Sequence, residues 1–285
     1  MPDIIGNNCF LEQVIFTHFQ LVLLQVIKMQ RLFYMNKVRT LVIVLLLSTS
    51  QVSWSDTVLV AVAANFTKPM TEISAKFEKK TGHKVELSFS SSGKFVSQIE
   101  NGGPYEVFLS ADEKGPEKLE QDGLVEPDSR FIYAYGRLAL WSAKPNYVDE
   151  QGNILATGNF KHLAIADPKL APYGLAALDV LKNLKLFEKL QPLFVQGENI
   201  SQTYQFVSTS NAELGFVALS QIIENGHIVS GSGWAIPDKY YQPIRQAAVL
   251  MKKSNKNPAA LALLNYLKSP DALEVIEKYG YKLPK

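Results

Sequence analysis

The chain has 285 residues, of which 47% are hydrophobic, 20% charged and 11% aromatic, the make-up of a globular protein of one or two domains; disorder, collagen and coiled coil are excluded. Lysine and arginine total 29 against 27 acidic residues, a net charge of +2, so there is no broad basic field of the kind that nucleic-acid binding rests on. The single cysteine, Cys9, permits no internal disulfide, no cysteine-rich metal site and no CxxC redox pair.

Residues 35–55 place two cations, Lys37 and Arg39, before the uninterrupted apolar run Leu41–Leu47, which is followed by small polar residues ending in Ser53-Trp54-Ser55. This is the pattern of a secretory signal peptide, with cleavage expected after Ser55. The run is far shorter than the roughly 20 apolar residues a membrane-spanning helix needs. No cysteine follows the small residues, which favours a diffusible periplasmic product over a lipoprotein. Upstream, Met1–Gln30 is apolar but broken by Glu12, His18 and Lys28, and reads as an overextended frame whose true start is Met29 or Met35. Removing residues 1–55 takes away four cations (Lys28, Arg31, Lys37, Arg39) and two anions (Asp3, Glu12), which leaves 25 of each and no cysteine.

From Asp56 onward, short β-rich runs alternate with helical patterns, the signature of α/β sheets with crossover helices. Thr57–Ala63 reads as a buried strand. Thr67–Lys80 places Met70, Ile73 and Phe77 at helical spacing, and Thr81-Gly82 closes that helix. Val85–Phe89 and Val107–Ser110 read as strands, with helices at Lys94–Glu100 and up to Gln121. A second series follows: strands at Arg137–Trp141, Leu163–Ala166 and Leu214–Val217, with helices at Leu175–Leu184 and Ser201–Ser208. The chain ends with a strand at Ala247–Met251 and helices at Pro258–Lys268 and Asp271–Tyr279. Two α/β lobes are expected, 56–136 with 243–285 and 137–242, with a ligand in the cleft beyond the carboxyl ends of the strands.

Four loops at those strand ends carry turn-forming or polar residues: Ala63-Ala64-Asn65-Phe66, Ser90-Ser91-Ser92-Gly93, Ala171-Pro172-Tyr173-Gly174 and Glu198-Asn199-Ile200-Ser201. Each precedes a helix. The first backbone N–H groups of a helix have no partner inside it and carry partial positive charge, so several starts aimed at one point make an anion site without lysine or arginine. Taken singly, the same residues suit plainer roles: Asn65 as cap of the helix at Thr67, Ser91 or Ser92 as cap of the next one.

The stretches VAVAANFTKPM, FSSSGKFVSQIENGGPYEVFLSAD, LAIADPKLAPYG, LGFVALSQI and YLKSPDALEVIEKYGY resemble, in order and spacing, the periplasmic molybdate-binding protein family of ABC importers. The resemblance covers Asp56–Tyr281. It implies a two-lobed type II periplasmic binding protein, or venus flytrap, each lobe a mixed sheet flanked by helices. It also implies an oxyanion, molybdate or tungstate, held by neutral donors: Asn65 through side chain and backbone, Ser92, Tyr173 and the backbone N–H of Ile200. Some family members carry a ligand-contacting tyrosine where this chain has Ala218 and a small residue where it has Tyr173, which implies that Tyr173 supplies that hydroxyl from another loop. The partners implied are an ABC permease and its ATPase subunit at the inner membrane. The oxyanion is cargo, no further cofactor is implied, and a monomer is expected.

Two other readings compete. One is a receptor for a different oxyanion, sulfate or thiosulfate. The other is an enzyme, but His83, His162 and His227 fall in no HExxH or GxSxG pattern and have no cysteine partner. A fully deprotonated tetrahedral oxyanion has only acceptors to offer, and a shell of donors suits it. Hydrogen phosphate brings a proton that such a shell refuses.

Overall fold

The computed structural model describes residues 28–29, 31–32, 56–224 and 226–284. Residues 28–29 and 31–32 are helical and exposed; the expected signal segment lies outside the described residues. Among the described residues, no helix is long and apolar enough to cross a membrane.

From Thr57 the elements follow in order. The first stretch holds β1 (Thr57–Ala63), α1 (Thr67–Thr81), β2 (Lys84–Ser90), α2 (Ser92–Glu100), β3 (Val107–Leu109), α3 (Lys114–Gln121) and β4 (Phe131–Gly136). The middle holds β5 (Leu138–Ser142), α4 (Ile154–Thr157), β6 (Leu163–Ala166), α5 (Pro172–Asn183), α6 (Phe187–Leu190), β7 (Phe194–Gly197), α7 (Ile200–Ser208), β8 (Leu214–Ala218), α8 (Leu219–Ile222), β9 (Ile223–Glu224), β10 (His227–Ile228) and β11 (Ser232–Ala235). The chain closes with β12 (Ile244–Leu250), α9 (Pro258–Tyr266) and α10 (Pro270–Lys278).

These build two five-stranded sheets, ordered β2-β1-β3-β12-β4 and β11-β5-β8-β6-β7. In the first, β1 lies parallel to β2 and β3, and β12 runs antiparallel to β3 and β4. In the second, β6 lies parallel to β7 and β8, and β5 runs antiparallel to β8 and β11. Each sheet therefore grows from the same unit, a central strand followed by two crossovers, β1 to β3 and β6 to β8. In both, the helices after the first two strands start at the same edge of the sheet.

Burial explains why these residues form these elements. Val58, Val60 and Val62 of β1 pack with Phe66, Met70, Ile73 and Phe77 on one face, while Ala61 faces Phe95 and Phe108 on the other. A strand covered on both faces reads as a continuous apolar run, as β1 does. Each large apolar side chain so buried contributes about 1.5–3 kcal/mol. Gly82 ends α1 in the left-handed conformation, φ 79°, as its sequence position predicts.

Three helices begin earlier than the sequence suggests: α2 at Ser92 instead of Lys94, α5 at Pro172 instead of Leu175, and α7 at Ile200 instead of Ser201. Pro172 stands in the first turn, where its missing N–H costs nothing. Strands β4, β7 and β11 were not expected from the pattern. The latter two are four residues each and end in or contain glycine, so no alternation develops.

Candidate functional site

Asn65, Ser92, Tyr173 and Ile200 come from four separate strand-to-helix junctions and line one small cavity, together with Ser91 and Asn199. All four are buried, none more than 3% exposed. The cavity is small, about 10 Å³, a space on the scale of one water and not of an organic solute. Every described residue lining it is uncharged. It meets a wider groove of about 730 Å³, which shares Ser92, Ala111, Ala171 and Pro172 with it and carries Lys114, Lys118, Lys169 and Arg245 alongside Asp112, Glu113 and Asp179. The groove joins the cavity to its surroundings; the convergent donors are in the cavity.

At the end of β2, Ser92 is the first residue of α2, and its Oγ accepts the Ala111 N–H at 2.9 Å. That leaves the Ser92 hydroxyl proton to be donated elsewhere. Neither serine caps the helix: Ser91 stands at the cap position but makes no capping bond, and its Oγ is buried without a hydrogen-bond partner among the described residues. A buried hydroxyl without a partner costs about 1–3 kcal/mol. The sequence places Ser91 in a candidate loop but singles it out only as a possible cap; three consecutive serines at a strand end are the available signal. Its unpaired Oγ in the cavity wall makes it a further candidate donor.

At the end of β7, Asn199 caps α7: its Oδ1 accepts the N–H groups of Ser201 at 2.9 Å and Gln202 at 3.0 Å, and its carbonyl accepts that of Thr203. The Ile200 N–H stands ahead of these at the first helical position, where no intrahelical partner exists. An apolar residue thus contributes through its backbone.

Asn65 differs from expectation. Its Nδ2 donates to Gln246 Oε1 and to Tyr281 Oη, both at 2.9 Å, so both side-chain protons are spent inside the protein. It does not cap α1 either, since the residue before that helix is Phe66. Its backbone N–H, in the 3₁₀ turn Ala64–Phe66 that follows β1, is the donor it has left for a ligand.

Tyr173 lies in the first turn of α5 with its hydroxyl in a buried polar cluster. Gln246 Nε2 donates to Tyr173 Oη at 3.2 Å, and Tyr133 Oη donates to Gln246 Oε1 at 2.8 Å. Tyr281 Oη bonds the Asn65 carbonyl and Ser220 Oγ, at 2.8 and 3.0 Å. Burial pushes the Tyr133 and Tyr173 phenols well above the ordinary tyrosine range, and pushes Tyr281 up to about 12 against the opposing pull of its bonds to Ser220 and Asn65. All three stay protonated and neutral at any physiological pH. Glycine at position 136 makes room for this arrangement, since a Cβ there would lie 2.4 Å from Tyr173 Oη.

The two sheets' junctions also hold each other. The Gly93 N–H donates to the Leu170 carbonyl at 2.9 Å, Ser220 Oγ to the Asn65 carbonyl at 2.9 Å, and Lys68 Nζ to the Gln221 carbonyl at 2.9 Å. His83, by contrast, stacks on Phe77, and His162 and His227 are exposed on the far elements; none lines the cavity. Among the described residues, no group of three metal-ligating side chains occurs.

The profile of the bacterial extracellular solute-binding proteins matches residues 58–282 of this chain. The chain belongs to that family. Within it, a molybdate-binding protein ModA from Azotobacter vinelandii is 58% identical over 226 residues, covering 79% of this chain and 90% of the relative. A second ModA, from Rhodobacter capsulatus, is 51% identical over 79% of this chain and 87% of its own length. A solved Azotobacter vinelandii periplasmic molybdate-binding protein superposes with a TM-score of 0.78 at 44% identity, covering 80% of this chain and all of that one. The resemblance read from the sequence and the two-lobed α/β fold it implies are both borne out.

Proposed function

We propose that this protein is the substrate-binding component of an ABC importer, capturing molybdate and handing it to a membrane permease driven by its ATPase subunit. The observation that carries the reading is the convergence of four strand-to-helix junctions, two from each sheet, on one cavity without a charged side chain. The ModA relatives support molybdate as the cargo. Burying a dianion without a counter-ion is costly unless nearly every lone pair is met. Backbone N–H groups of Asn65 and Ile200 and the hydroxyls of Ser92, Tyr173 and Ser91 are donors suited to meet them, each such bond to a charged group contributing about 1.5–3 kcal/mol.

In this reading residues 56–136 with 243–285 form one lobe and 137–242 the other. They close over the ion, and the closed form is what the permease recognises. Tungstate, nearly the same size as molybdate, is bound as well. The protein acts as a periplasmic monomer after cleavage behind Ser55, and it releases its cargo unaltered, with no enzymatic step. Isothermal titration of residues 56–285 with molybdate, tungstate and sulfate tests this: the first two bind, sulfate binds at least tenfold more weakly. Sulfate binding as tight as molybdate overturns the assignment in favour of a general oxyanion receptor.

A further inference from the structure

We infer that Gln246, which lines no part of the cavity, sets the hydrogen-bond polarity of the Tyr173 hydroxyl and thereby makes the site reject oxyanions that carry a proton. The inference rests on the oxyanion-receptor reading above.

Gln246 is fully buried on β12. A buried amide in a strand whose other buried residues are Ala, Val, Ile and Leu is costly unless each of its groups is paired, and here each side is. Oε1 accepts from Asn65 Nδ2 at 2.9 Å and from Tyr133 Oη at 2.8 Å, and Nε2 donates to Tyr173 Oη at 3.2 Å. The strand register breaks at this position. Gln246 pairs with Ala134 and Ala247 with Ile132, so Tyr133 is the extra residue of a β-bulge, and the bulge brings its phenol beside the amide.

The direction of these bonds matters more than their number. A hydroxyl is one donor and two acceptor sites. When Gln246 gives its N–H to Tyr173 Oη, that oxygen acts as acceptor toward the amide, and its own proton is left to be shared between the neighbouring Tyr281 Oη and a ligand in the cavity. The Ala111 N–H does the same to Ser92 Oγ from the other side. Both hydroxyls thereby keep a proton that a ligand in the cavity can accept. Such a shell satisfies a bare dianion and leaves the O–H of hydrogen phosphate without an acceptor, which costs it a buried unpaired donor. Deleting the N–H at position 246 removes the constraint on Tyr173. Replacing the amide with a carboxylate, which only accepts, reverses it: Tyr173 then donates inward and shows its lone pairs to the cavity.

Sulfate and hydrogen phosphate test this cleanly, because they have the same charge and nearly the same size and differ by one proton. Each is measured by displacement of molybdate from wild-type, Gln246→Glu and Gln246→Met protein at a pH where phosphate is the dianion. Added negative charge or altered packing weakens both competitors alike and cancels in their ratio. The expected result is a sulfate-to-phosphate preference that falls at least tenfold in Gln246→Glu and about threefold in Gln246→Met, the latter carrying the test if the former does not fold. Where neither ion displaces molybdate from wild type, the expected result is phosphate displacement that appears in the variants without sulfate displacement. An unchanged ratio, with both ions weakened together, overturns the assignment of polarity to Gln246, as does the absence of displacement by either ion from every variant. Wild-type protein that binds no molybdate overturns instead the receptor reading on which it stands.

Discussion

Ser92 Oγ and Tyr173 Oη each accept a protein N–H at the cavity, which leaves each hydroxyl a proton to give to a ligand. Ser92→Ala removes one donor and leaves the Ala111 N–H without its acceptor. Molybdate affinity should fall by about 1.5–3 kcal/mol, roughly 10- to 150-fold, in a calorimetric titration. An unchanged affinity would return Ser92 to a purely structural bond with Ala111. Tyr173→Phe deletes only the hydroxyl, and a comparable loss is expected if it stands in for the tyrosine absent at Ala218. Ser91→Ala distinguishes two roles for the unpartnered Oγ: it weakens binding if that hydroxyl meets the ion, and it stabilises the ligand-free protein slightly if the hydroxyl is only a buried cost. At this scale the sequence was informative for Ser92, Tyr173 and Ile200, whose positions at strand ends follow from patterning and family likeness. It was silent on Gln246. Two consecutive polar residues, Arg245 and Gln246, break the apolar pattern by which strands are found, and the expected strand accordingly begins at Ala247, three residues after the true start at Ile244.

The elements repeat a design. After β1 and β2 in one sheet, and after β6 and β7 in the other, the chain passes within a few residues into a helical segment whose first residues line the same cavity. Parallel strands with crossover helices put all helix starts on one edge, which is why the candidate loops were legible before the sheets were. The missed strands are those with least to show. β7 and β11 are short outermost strands of their sheet, while β4 is separated from β5 by Arg137 alone and merges with it in a pattern search. The closeness of the junctions depends on glycine at position 93. Its N–H bonds the Leu170 carbonyl, and a Cβ there would stand 3.1 Å from the Leu170 Cα and carbonyl oxygen. Gly93→Ala should therefore hold the two junctions apart by a few tenths of an ångström and lower molybdate affinity without lowering the melting temperature of the ligand-free protein by more than about 1 kcal/mol equivalent. Equal losses in stability and affinity would show that the contact is simply core packing.

For the whole molecule, the balance of 25 cations and 25 anions expected after residue 55 means that no net field draws a dianion in, and capture depends on neutral groups keeping their protons. That dependence has a pH signature. Tyrosine in an unfolded chain titrates near 10, whereas burial holds Tyr133 and Tyr173 well above that and Tyr281 at about 12. Below about pH 9 the phenols are protonated in both states and contribute nothing to the pH dependence. Between about 10 and 12 the unfolded chain releases protons that the folded chain keeps, so stability falls as pH rises. At the acid end the sign reverses. Glu72, held down by its bond from Lys278, and Glu78, held down by the Val85 N–H and then Lys84, contribute stability that is present above their unfolded values and lost as pH falls below about 4. The melting temperature should thus form a plateau through neutral pH with shoulders at both ends, whereas molybdate affinity, which depends on the folded protein alone, should stay flat through about pH 10 and decline only where the buried Tyr173 phenol at last loses its proton. The alkaline decline in affinity is the diagnostic limb: it should shrink in Tyr173→Phe, which has no proton to lose at that position, while the acid shoulder of the melting curve is unchanged. If the alkaline limb of binding were the same in both proteins, the phenol at 173 would not be part of the donor shell.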